Sequence, residues 1–246
     1  MKYLFIDASE NKTHIQTGTE NSFSAKTIDT NRNFAAKITE ICDNMLNEAG
    51  WQQKDLTHLV VCTGPGSLTG LRVADGFLRA LAMLLNIPLI GIDLFKWSTQ
   101  SICDKGYEGE ARLVMPTLID KAFEVKIEIS DLTTANDNLS SNTSLQTNSI
   151  TSLRGFSRGN VAIQNRISIT KPVLIDKKDI PSEIKTYGIR WSHEAAERLD
   201  PTPESLHKLI IEETKNSKSG IDEILKVLPL YIIPSQAERN FKGGDK

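Results

Sequence analysis

Leu59-Val60-Val61-Cys62-Thr63-Gly64-Pro65-Gly66-Ser67-Leu68-Thr69-Gly70-Leu71-Arg72 joins two kinds of structure in one short stretch. Leu59 to Cys62 form a continuous apolar run, the pattern of a strand covered on both faces inside a sheet. A glycine-rich turn follows. From Leu71 to Leu85 the chain reads as a helix whose only polar positions are Arg72, Asp75 and Arg79. In the turn, Gly64, Gly66 and Gly70 permit backbone conformations closed to other residues, Pro65 stiffens the chain, and Ser67 or Thr69 can cap the helix. Two readings stand side by side: a tight strand-to-helix connection, or a cradle that holds an anion on its N–H groups. The loop has neither the lysine of a Walker loop nor Gly-x-Gly-x-x-Gly spacing.

Upstream, Tyr3 to Ile6, Thr13 to Thr17 and Phe23 to Ile28 read as a meander of three antiparallel strands. Phe34, Ile38, Ile41, Met45 and Ala49 then recur at helical spacing, and Gly50 is placed to cap that helix. Downstream, Pro88 to Ile92 is a further buried strand. Three antiparallel strands followed by two helical crossovers make a mixed sheet with helices on its faces, the α/β plan of ribonuclease H-like folds.

A second, diverged lobe is expected from about Tyr107, where Arg112 to Leu118 and Glu124 to Ile129 read as paired strands. Between Ser130 and Ser152 the composition turns to Ser, Thr and Asn, which bury too little to order a core, so a surface loop is expected. Strands are expected again at Val161 to Ile163, Ile167 to Ile169 and Val173 to Ile175, and helices near His193 to Leu199 and Pro203 to Lys215. The division expected is 1–104 for the first lobe, 105–200 for the second with its loop at 130–152, and 201–246 for a C-terminal helix and tail packing back towards the first lobe.

The formal net charge of -2 lacks the basic excess of a protein that grips a phosphate backbone unaided. Cys42, Cys62 and Cys103 form no Cys-x-x-Cys pair and read as reduced thiols. The apolar runs are too short to span a bilayer, and the start of the chain lacks a signal-peptide pattern, so a cytoplasmic protein without a membrane role is expected.

Gly64-Pro65-Gly66-Ser67-Leu68-Thr69-Gly70-Leu71-Arg72 closely resembles the Gly-Pro-Gly-Ser-Phe-Thr-Gly-x-Arg signature of the TsaB family, formerly YeaZ. Ile6-Asp7-Ala8-Ser9 is similar to that family's opening Ile-Asp-Thr-Ser, and Ile87 to Ile92 to its following strand. The similarity is good over residues 1 to 97. Later, Ile119-Asp120-Lys121-Ala122-Phe123-Glu124-Val125 loosely resembles Ile-Asp-Ala-Arg-x-x-Glu-Val, and Ile232-Ile233 stands where the family usually has Leu-Arg.

The resemblance implies a two-lobed actin-like fold and a non-catalytic subunit with no cofactor. Such a subunit pairs with the catalytic paralogue TsaD and the ATPase TsaE in transferring threonylcarbamoyl to an adenine beside the anticodon of tRNA. It meets tRNA only indirectly, through the complex, and alone it can form homodimers. The partner interface expected is Leu71, Arg72, Ala74, Asp75, Leu78, Arg79 and Ala82, because so apolar a helix must be covered on nearly all sides. Gly64, Pro65, Gly66, Ser67, Thr69 and Gly70 set the helix entry.

Asp7 and Ser9 hold the place of a phosphate-binding pair and are read as its vestige. No metal is expected, since His14, His58, His193 and His207 include no pair three to five residues apart. The alternative is an actin-like ATP-binding phosphotransferase or ATPase using Asp7, the glycine loop and Asp120.

Overall fold

A computed structural model describes residues 1–30, 33–117, 120–131, 150–156 and 162–230. The chain divides into two compact units. One, called here the first lobe, comprises Lys2–Thr17, Lys26–Asp93 and the chain from Lys218; the other comprises Met1, Gly18–Ala25 and Leu94–Ser217.

The first lobe is built on β1 (Tyr3–Asp7), β2 (Lys12–Gly18), β3 (Phe23–Asp29), α1 (Phe34–Glu48), β4 (His58–Gly64), α2 (Leu68–Leu85) and β5 (Leu89–Asp93). Its sheet order is β3-β2-β1-β4-β5. β1 and β4 run parallel with Leu4 opposite Leu59 and Ile6 opposite Val61, and β4 and β5 run parallel with Val60 opposite Ile90. All five residues of β1 are buried, as the unbroken apolar pattern of a central strand requires. Phe34, Ile38, Ile41, Met45 and Leu46 of α1 close over the sheet together with Leu71, Ala74, Leu78, Leu81 and Ala82 of α2. Both helices end in left-handed residues that stop the spiral, Gly50 at φ 70° and Asn86 at φ 53°.

The second unit contains α3 (Leu94–Asp104), β6 (Gly109–Pro116), β7 (Lys121–Asp131), β8 (Ile150–Phe156), β9 (Ala162–Ile169), β10 (Val173–Asp176), β11 (Thr186–Ile189), β12 (Glu197–Leu199) and α4 (Pro203–Thr214). Its sheet runs β12-β11-β6-β7-β9-β8, with β10 also paired to β7. β6 and β7 are antiparallel, whereas β11 lies parallel to both β6 and β12. The order β12-β11-β6-β7-β9 therefore repeats β5-β4-β1-β2-β3. Neither crossover carries an α-helix here: residues 170–185, between β9 and β11, hold β10 and a 3-10 turn where the first lobe has α1, and the seven residues 190–196 join β11 to β12 where it has α2. Arg190 makes the reversal at φ 52°, and Gly188 admits the carbonyl of Trp191 so closely that a Cβ would stand 2.4 Å from it.

One expectation changes here, and one element appears that the sequence reading did not assign. The stretch His193 to Leu199 is a bridge and the strand β12 rather than a helix, because Glu197–Leu199 pair in parallel register with Tyr187–Ile189. Leu94–Asp104, which carries no clean apolar period, is a helix. Two of its buried hydroxyls are satisfied within its own turns, Thr99 Oγ1 donating to the Phe95 carbonyl at 2.8 Å and Ser101 Oγ to that of Trp97 at 3.1 Å, while the buried Ser98 Oγ makes no hydrogen bond among the described residues. β7 reaches Asp131 and β8 begins at Ile150; the centre of the expected Ser130 to Ser152 loop lies outside the described residues, as do Leu118 and Val161.

A short helix, α5 (Ile221–Lys226), belongs to the first lobe. Its Ile224 is buried in that lobe's core, and the N–H of Leu230 donates to the Thr63 carbonyl at 2.7 Å.

Candidate functional site

The glycine loop packs directly on the end of β1. Asp7 is fully buried and its Oδ1 accepts from the Ser9 N–H at 2.8 Å. The Ser9 carbonyl accepts from the Ser67 N–H at 2.7 Å, which locks the loop to the strand end. Ser67 is the N-cap of α2, its hydroxyl accepting from the Gly70 N–H at 3.4 Å and its carbonyl from the Leu71 N–H at 2.9 Å.

The glycines serve different needs. Gly64 sits at φ 96°, where a side chain is strained. Gly66 and Gly70 are needed for closeness instead: a Cβ on Gly66 would lie 2.4 Å from the Ser9 carbonyl oxygen, and one on Gly70 2.0 Å from that of Ala8. Pro65 is buried, while Ser67 and Thr69 are exposed. Three N–H groups at this helix entry, those of Ser67, Gly70 and Leu71, are thus bonded inside the lobe rather than turned to a ligand. Beside the loop a cavity of about 330 Å³ opens between the two helix entries, lined by Ala8, Glu10, Asn11, Thr30, Phe34 and Val73 among others.

α2 turns a different side outward from the one expected to meet a partner. Ala74, Leu78 and Ala82 are 0% exposed and Leu71 is 2%, all within the lobe's own core. Asp75 and Arg79 face α5: the Arg79 guanidinium donates to both Asp75 oxygens, to the Ile224 carbonyl at 2.6 Å and to the Val227 carbonyl. Of the seven residues, Arg72 alone is exposed. The outward strip is Arg72, Gly76, Ala80, Met83 and Leu84, and nothing lies within 4 Å of where a Gly76 Cβ would be.

In the second unit Asp120 is exposed, its carbonyl accepting from the Lys177 N–H at 2.8 Å, and the adjacent Lys121 pairs with Asp176 at 2.5 Å. The Asp176 hydrogen bond holds the Lys121 ammonium above its ordinary pKa. Among the described residues no three His, Cys, Asp or Glu side chains are grouped to hold a metal ion, and no helix is long and apolar enough to cross a membrane.

The histidines have local roles. His14 Nδ1 lies 2.9 Å from Thr27 Oγ1, His58 Nδ1 2.8 Å from Thr57 Oγ1, and the rings of His193 and His207 stand by Trp191 and Phe23. Burial holds the imidazoles of His58 and His207 below their ordinary pKa. The unfolded chain therefore binds protons at these sites before the folded one does. Their stabilising contribution is complete above the unfolded value, near pH 6.5, and is lost as pH falls from there to the lower folded values. The melting temperature should accordingly drop between about pH 7.5 and 5.5, and replacing both residues by Gln should flatten that dependence. An equally steep dependence in the double variant would reject the assignment.

Each sheet, with its antiparallel meander and two parallel strands added on the far side of β1 or β6, is a ribonuclease H-like sheet, and two such sheets in one chain define the actin-like class. Residues 27–112 match the family described as TsaD, tRNA N6-adenosine threonylcarbamoyltransferase. By sequence the chain is similar, over part of its length, to proteins named TsaB. It is 30% identical to tRNA threonylcarbamoyladenosine biosynthesis protein TsaB of Bacillus subtilis over 93 residues, which are 37% of this chain and 41% of that one. It is 26% identical to the Escherichia coli protein of the same name over 92 residues, 37% and 40% of the two chains. The matches thus span about two fifths of these relatives' length. The solved structure of YeaZ from Pseudomonas aeruginosa shares the fold with a TM-score of 0.63 at 14% identity, covering 94% of this chain and 99% of that one.

Proposed function

We propose that this chain is a non-catalytic partner subunit in the threonylcarbamoylation of tRNA adenine, binding a TsaD paralogue and, through that pair, the ATPase TsaE. The observation that carries the reading is the matched segment itself. It contains β4, the glycine loop and α2, whose outward strip joins small residues at Gly76 and Ala80 to apolar ones at Met83 and Leu84. Small residues let a second helix approach closely, and the apolar ones are left for it to cover. The docking strip is therefore Arg72, Gly76, Ala80, Met83 and Leu84, while Leu71, Ala74, Leu78 and Ala82 support it from within.

The same geometry weighs against the phosphotransferase alternative, because the Ser67, Gly70 and Leu71 N–H groups are already bonded and Asp7 is turned into the Ser9 turn. Reconstitution with the organism's own TsaD and TsaE, threonylcarbamoyl-adenylate and tRNA tests the reading. Modification should require this chain, which alone should neither modify tRNA nor hydrolyse ATP. Modification at full rate without it, or ATP turnover by the isolated chain, would overturn the proposal.

A further inference from the structure

The stretch from Lys218 to Leu230 is joined to the rest of the first lobe at few points. Lys218 and Ser219 are exposed, and Gly220 turns the chain at φ 116° with nothing within 4 Å of where its Cβ would be. α5 then runs for six residues from a glycine N-cap that supplies no side-chain hydrogen bond. So short a helix has no stability of its own and keeps its form only while docked.

Two kinds of attachment dock it. Ile224 is 1% exposed in the core, Pro229 is buried, and Val227 packs against the same core. The Arg79 guanidinium holds the Ile224 and Val227 carbonyls, and the Leu230 N–H donates to the Thr63 carbonyl at 2.7 Å. Thr63 is the residue that the register shift between Cys62 and Gly64 leaves unmatched in the pairing of β4 with β5. Ile221, Leu225 and Leu228 are exposed and add little to the hold.

The seat stands without the segment. Asp75, one helical turn before Arg79, accepts from its Nη2 on both oxygens at 2.9 Å, so the guanidinium keeps its counter-ion when the two carbonyls leave. Undocking therefore orphans no charge, and water can replace the Leu230 N–H at Thr63. An opening of this kind breaks a handful of contacts, whereas opening the sheet breaks the whole core.

We propose that residues 218–230 form a strap that undocks as one unit, about Gly220, from a first lobe that otherwise stays folded. Docked, it braces α2 through Arg79 and holds the Thr63 carbonyl, immediately before Gly64 of the glycine loop. Undocked, it releases both, so the strap links the C-terminal segment to the turn that sets the entry of α2. The inference concerns the lobe alone and stands or falls apart from the partner-subunit reading.

Native-state hydrogen exchange on the full chain tests it. The N–H groups of Val227 and Leu230 should share one opening constant, at least about a hundredfold larger than those of β1 and β4, with little dependence on denaturant because little surface is exposed. Two substitutions should push the same equilibrium from opposite ends. Gly91→Ala sets a methyl 2.8 Å from Thr63 Cγ2 and 3.0 Å from Val227 Cγ1, and Gly220→Ala strains the hinge in its docked conformation. Each should speed exchange at Val227 and Leu230 about fivefold to tenfold and leave β1 as in the parent. Should Gly91→Ala loosen β5 itself, Gly220→Ala carries the comparison, since it touches nothing in the sheet. Parent exchange at Val227 and Leu230 as slow as in β1 would overturn the strap, and so would a Gly220→Ala effect spread equally over β1 and β4.

Discussion

Gly70→Ala should destabilise the first lobe by about 3 kcal/mol or more, at the upper end of what overpacking costs. The added methyl would be 2.0 Å from the Ala8 carbonyl oxygen and 3.1 Å from its carbon, both backbone atoms that no rotamer change can move. Relief requires α2 to lift from the end of β1, which would also stretch the bond from the Ser67 N–H to the Ser9 carbonyl. Gly76→Ala, two turns along the same helix and with nothing within 4 Å, should do the opposite. It should gain about 0.5–1 kcal/mol from helix propensity. Denaturant unfolding of the two variants beside the parent checks both, and a Gly70→Ala midpoint equal to the parent's would refute the close-approach account.

Arg79→Leu should cost about 2 kcal/mol, with the loss centred on α5. The substitution strips hydrogen bonds from the Ile224 and Val227 carbonyls and leaves Asp75, 15% exposed, without its bidentate partner. Because the pair is not wholly dry, the figure sits below that for breaking a fully buried ion pair. Asp75→Asn combined with Arg79→Leu should recover part of it, since no orphan carboxylate remains. Hydrogen exchange locates the effect: the N–H groups of Val227 and Leu230 should lose protection while those of β1 keep theirs. Unchanged exchange at Val227 would reject the clamp.

The first lobe was legible because each of its elements is written in a short-range pattern: the apolar run of β4, the helical period of α1 and the punctuation between them. The topology of the second sheet was legible only as a hint. Neither of its crossovers is an α-helix, and the strand β12 depends on pairing with β11, which three residues of sequence do not announce. α3 was missed because Ser98 to Ser101 break the apolar period, and only the carbonyl bonds of Thr99 and Ser101 show why those two are tolerated.

At the candidate site, sequence identified the loop and the helix but not the orientation of the helix. Leu71, Ala74, Leu78 and Ala82 are apolar and so are the residues between them, so composition could not say which side faces the sheet. Arg79 looked like the edge of a docking face, yet its carbonyl partners lie 145 and 148 residues away. No local pattern encodes a contact of that range. For Gly66 and Gly70 the sequence suggested conformational freedom, whereas the structure assigns their necessity to the space a side chain would occupy.

The inclusion of α5 in the first lobe has a consequence for how the chain is made. Translation delivers β1 through β5 early, then the whole of Leu94–Ser217, and only afterwards the segment that covers Gly91 and completes the hydrogen bonds of Arg79. At about 5–20 residues per second the early sheet waits many seconds on the ribosome with that flank open. The sheet built from β1 to β5 is therefore completed only after all of Leu94–Ser217 has been made.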